Sequence, residues 1–74
     1  MEILDNVWKA GRSCIGIVLV QTEYDGQCAY MEVVPGFDEK TDIQHVASWG
    51  TKLTFNEAKG FFPYIETKDY RIEI

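Results

Sequence analysis

The stretch from Ser13 to Val34, S-C-I-G-I-V-L-V-Q-T-E-Y-D-G-Q-C-A-Y-M-E-V-V, constrains this chain most. Two β-rich runs flank Asp25-Gly26. Asp-Gly between such runs is a strong hairpin signal, because a type I′ turn needs φ > 0 at both central residues and these two tolerate it cheaply. The sequence therefore predicts an antiparallel ribbon. A two-residue turn would pair Tyr24 with Gln27, Thr22 with Ala29, Val20 with Met31 and Val18 with Val33. Side chains alternate faces along a strand. One face then carries Val18, Val20, Thr22, Ala29, Met31 and Val33, the expected core. The other is polar near the turn and apolar at the open end, through Ile15, Ile17, Leu19 and Val34. That second patch needs a cover, either the N-terminal segment or another copy of the chain. Ile15, Ile17, Leu19 and Val34 are thus an expected oligomer interface. Gly16, inside the strand, is expected to mark a bulge rather than a close approach of another group.

Seventy-four residues fit a single domain. A chain this short buries only about 60% of its unfolded surface, so its core is marginal and usually needs a staple. The register puts Cys14 and Cys28 on opposite faces and far apart, beyond the roughly 7 Å that a disulfide spans. Free thiols, and with them a cytoplasmic setting, are expected. Two cysteines and one histidine match no zinc motif, and no metal or cofactor is expected. No apolar run reaches the roughly 18 residues of a membrane span, and no signal peptide is read. Oligomerisation is left as the expected staple. Twelve acidic against seven basic residues give a net charge of −5, which argues against direct nucleic-acid binding. Hydrophobic content of 46% argues against disorder, and 14% aromatic content favours an interface or ligand pocket.

Before the ribbon, Ile3, Leu4, Val7 and Trp8 fall at helical spacing and Gly11 suits a C′ position. A short helix is expected over residues 1–12, with a strand over Met1–Leu4 as the alternative. After the ribbon, Pro35-Gly36 ends the second strand and Asp38 is a natural N-cap. Asp38, Glu39 and Asp42 favour the positive end of the helix dipole. Ile43, Val46 and Ala47 make a buried face, and Gly50 reads as a left-handed cap. The helix is expected from Glu39 to Trp49. Thr54-Phe55-Asn56-Glu57 is a capping box, with Leu53 and Ala58 as a hydrophobic staple. A second helix is expected from Phe55 to about Phe62, stopped by Pro63. Tyr64-Ile65 and Tyr70–Ile74 read as strand, the latter joining a sheet edge. The predicted fold is α+β: an antiparallel sheet of three to four strands built on the hairpin, with two short helices on one face.

Two places could carry chemistry. Asp38, Asp42, His45 and Trp49 share one face of the first helix. They form either a solvated acidic surface for an interaction or a carboxylate–histidine patch. Dipole logic favours the solvated surface. The second is Gly50-Thr51-Lys52-Leu53-Thr54 before a helix start, where amides, a lysine and hydroxyls attract anions. It lacks the spacing of a Walker A loop, and Glu57 competes for the same amides. Gly50, Thr51, Lys52 and Thr54 are the candidate ligand-binding residues, weighed against an ordinary capped connection. The cysteines form no C-x-x-C pair, and a single histidine permits no legible catalytic triad.

D-I-Q-H-V-A-S-W-G-T-K-L over Asp42–Leu53 and E-A-K-G-F-F-P over Glu57–Pro63 resemble stretches of small proteins encoded by bacterial viruses and prophages. The resemblance covers the second half of the chain and brings no site residues. It implies an accessory factor in the host cytoplasm, one that blocks a host defence protein or captures a small nucleotide-like signal. It also implies a compact homo-oligomer. The expected function is accordingly non-catalytic binding, as a small homo-oligomeric inhibitor or ligand trap. An acidic surface mimicking nucleic acid is one mechanism, and a nucleotide pocket near Lys52 and Thr54 is another. The alternative is a small metal-assisted hydrolase using Asp38, Asp42 and His45, for which neither a second catalytic group nor a pocket is legible.

Overall fold

A computed structural model describes residues 2–9, 14–22, 26–34 and 39–71. The elements in chain order are β1 (Glu2–Lys9), β2 (Cys14–Gln21), β3 (Gln27–Val34), α1 (Glu39–Trp49), β4 (Thr51–Lys52) and α2 (Phe55–Phe61). The four strands form one antiparallel sheet in the order β1-β2-β3-β4. The chain is an α+β fold with the hairpin at its centre.

The hairpin forms, but its register differs from the two-residue expectation. Gln27 pairs with Gln21 rather than Tyr24, Ala29 with Leu19, and Met31 with Ile17. Residues 22–26 are therefore a five-residue connection. Thr22 closes it: its backbone N–H donates to the Gly26 carbonyl at 2.7 Å and its hydroxyl donates to the same oxygen at 2.8 Å. The Gly26 N–H returns a bond to the Thr22 hydroxyl at 3.2 Å. The shift is odd, so β3 presents its other set of side chains to each face of β2.

Both faces of the sheet are consequently dry. On one, Ile17, Leu19 and Ala29 pack with Leu53, Ala58 and Phe62 of the α2 region and with Ile65 and Tyr70 beyond it. On the other, Val18, Val20 and Cys28 pack with Val46 and Ala47 of α1. The two helices thus cover opposite faces, not one face. This corrects the interface assignment too. Ile17 and Leu19 are 0% exposed within a single chain, and Ile15 packs on the same cluster, so these residues serve the chain's own core. The Val34 side chain lies outside the described set.

The N-terminal segment is a strand, not a helix. It pairs with β2 along Glu2–Lys9, with a bulge between Ile3 and Asp5. The bulge explains the misleading spacing. It inserts one extra residue, so Ile3 and Trp8 pack into the same cluster despite their odd separation. Gly16 is not a bulge, for its pairing with Trp8 and Glu32 is regular. A Cβ there would lie 2.2 Å from the Trp8 ring, so the indole lies directly over the glycine backbone.

α1 has the expected bounds, with Val46 and Ala47 buried. Its proposed cap, Asp38, lies outside the described residues, as does Pro35-Gly36. Gly50 is not a left-handed cap. A Cβ at Gly50 would lie 2.6 Å from the Val46 oxygen and 3.1 Å from the Met31 backbone, so the glycine lets the end of α1 press against β3. Tyr64 lies in a turn and Ile65 follows it, neither in a strand. Tyr70 does reach the sheet edge, as a parallel bridge to Gln27, while 72–74 lie outside the described residues. Cys14 and Cys28 are free. They sit on one face rather than two, opposite Val34 and Val20 respectively. Six positions of β2 still separate them, about 20 Å of strand.

Candidate functional site

The connection from α1 to α2 runs along the outer edge of β3. Thr51 pairs with Met31, Lys52 with Tyr30, and the Leu53 N–H donates to the Ala29 carbonyl at 2.8 Å. Farther along that edge, the Gln27 N–H donates to the Asp69 carbonyl at 2.6 Å, and the Arg71 N–H donates to the Gln27 carbonyl at 2.7 Å. Two segments distant in sequence thereby meet beside α2. Tyr70 ties them together. Its buried hydroxyl donates to the Leu53 carbonyl and accepts the Ala29 N–H at 3.2 Å. Burial, first of all, raises the pKa of that hydroxyl.

The space between these segments is a cleft of about 460 Å³, lined by residues 52–56 together with Tyr70 and Arg71. That volume is within the range of small-molecule sites. The Phe55 and Tyr70 rings meet edge to face at 5.8 Å. The Lys59 ammonium lies 5.8 Å from the centre of the Phe55 ring. Lys52 and Arg71 bring cations to the wall, and Thr54 and Asn56 bring polar groups.

Of the four expected ligand-binding residues, Lys52 and Thr54 line this cleft; Gly50 and Thr51 do not. The helix start is less open than the sequence implies. The Thr54 hydroxyl accepts the Glu57 N–H at 3.3 Å, and Glu57 Oε1 accepts the Thr54 N–H at 3.0 Å. These bonds complete the capping box and lower the Glu57 pKa. The capping box thus occupies the Thr54 and Glu57 amides. The sequence reading missed Phe55, Asn56, Tyr70 and Arg71, since Tyr70 and Arg71 reach the cleft only through the bridge to Gln27.

The α1 surface is arranged differently. His45 Nε2 lies 2.7 Å from Glu32 Oε2, a β3 partner that helical spacing could not reveal. Trp49 is 77% exposed, and Asp42 is half-buried. Among the described residues no three His, Cys, Asp or Glu side chains gather as a metal site. No described helix is long and apolar enough to cross a membrane. No protein-family model, curated protein or solved structure matches the chain.

Proposed function

We propose that this protein is a non-catalytic binding protein, and that its cleft captures a small anionic ligand bearing a flat ring, of the nucleotide type. One observation carries this reading. Two of the chain's seven basic residues, Lys52 and Arg71, line a cleft that Phe55 and Tyr70 also line, and a third, Lys59, stands over the Phe55 ring. Lys52 and Arg71 are thus gathered in one cleft of a chain whose net charge is −5. Cationic side chains hold a phosphate, and an aromatic wall accepts a base. A trap for a small signal is the role that the resemblance to viral accessory proteins suggests.

Calorimetric titration with a nucleoside monophosphate, and separately with inorganic phosphate, tests it. Binding of the nucleotide, lost in Lys52→Glu, is the expected result. Thr54→Ala removes the cap and costs about 1 kcal/mol of stability with or without ligand. Unchanged binding in Lys52→Glu would move the site elsewhere.

A further inference from the structure

β1 is the outermost strand, and among the described residues nothing pairs with its outer edge. It is eight residues long, and Leu4, in its bulge, is 41% exposed. Open edges of this length are templates for another strand. We propose that the partner is a second copy of β1, joined antiparallel about a two-fold axis at Asn6, so that two sheets continue into one.

β1 is complementary to itself in this arrangement. Antiparallel neighbours directly opposite each other must lie on the same face. With Asn6 opposite its own copy, Asp5 faces Val7 of the other chain. Both point to the α2 side, where Asp5 accepts the Tyr64 hydroxyl proton and Val7 packs on the α2 cluster. Next comes the bulge, where two residues oppose one. It brings Ile3 opposite Trp8, and both pack in the α1 cluster. Glu2 then falls opposite Lys9, again on a common face, as their β2 partners Gln21 and Ile15 show. Opposite charges close both ends of the pairing. A bulge on an edge usually blunts it. Here the bulge decides which residues meet, because with Leu4 as the extra residue Ile3 falls opposite Trp8 and Glu2 opposite Lys9. This interface is remote from the cleft at β3 and does not depend on the ligand reading.

Sedimentation velocity across a micromolar concentration series, with reciprocal charge reversal, tests the proposal. The wild type is expected to sediment as a dimer at tens of micromolar. Glu2→Lys and Lys9→Glu each place like charges at both ends of the interface and should weaken dimerisation about tenfold, since exposed pairs are individually small. The double variant Glu2→Lys/Lys9→Glu should restore it. Lys9 also stands 4.8 Å from the Phe61 ring centre, so restoration by the double variant separates pairing from that contact. Asn6→Cys provides a second readout. Its copies lie on the axis at about 4.5–5.5 Å between Cα atoms, close enough for a disulfide under mild oxidation. A monomeric wild type would overturn the proposal, as would a dimer indifferent to both reversals or an Asn6→Cys chain that does not cross-link.

Discussion

Three residues show how side-chain chemistry sets local structure. Gly16 is required by the Trp8 ring, which a Cβ would approach to 2.2 Å. Gly16→Ala should destabilise the fold by about 1–3 kcal/mol, the usual cost of overpacking, read by urea denaturation. Gly60 is the opposite case. It is exposed, it lies inside α2, and a Cβ there would meet nothing within 4 Å. Gly60→Ala should therefore stabilise by about 0.5–1 kcal/mol, through helix propensity and a less disordered unfolded chain. Tyr64 donates its hydroxyl to Asp5 Oδ2 at 2.7 Å, linking the segment after α2 to β1. Burial of the hydroxyl, and then the Asp5 carboxylate, push its pKa up to about 12 from 10.0. The sign follows from linkage: the stabilisation is complete below pH 10 and is lost as pH rises from 10 to about 12. Ultraviolet titration should show the Tyr64 and Tyr70 phenols ionising late, and Tyr64→Phe should remove one of the two. An unchanged difference titration would mean that the hydrogen bond does not form in solution.

At the scale of elements, the two helices were the most legible. α1 announces itself by the Ile43, Val46 and Ala47 stripe, and α2 by its capping box, both signals local in sequence. The hairpin was legible in kind but not in register. A strand covered on both faces has no polar side to fix its pairing. Ile15 to Val20 are apolar at every position except Gly16, so alternation could not arbitrate between loops of two and five residues. β1 was misread because its bulge shifts the period of its apolar residues toward that of a helix. Two of the seven lining residues were visible for the same reason that α2 was: Lys52 and Thr54 adjoin the helix start. Tyr70 and Arg71 were not, because a single parallel bridge to Gln27 brings them there from the far end of the chain.

The described residues form a thin sheet with a small helix on each face, and each of the two apolar clusters among them is small. Such a domain has little stability in reserve. Leu19 is fully buried beneath the α2 side, so Leu19→Ala should cost about 2–5 kcal/mol and leave much of the chain unfolded at room temperature, read by circular dichroism. A two-state melt close to that of the wild type would mean that the α2 face is not the packed core described above. The same architecture separates the proposed functions in space. The cleft lies along β3 at one sheet edge and the self-pairing strand lies at the other, so ligand capture and dimerisation can be removed independently. The most direct test of the central claim is a ¹H–¹⁵N correlation titration of the labelled protein with adenosine monophosphate. Saturable shifts are expected in the backbone amides of residues 52–56, 70 and 71, with those of Asp42–Trp49 unmoved. The absence of shifts at millimolar ligand, or shifts centred on His45 and Trp49, would contradict it.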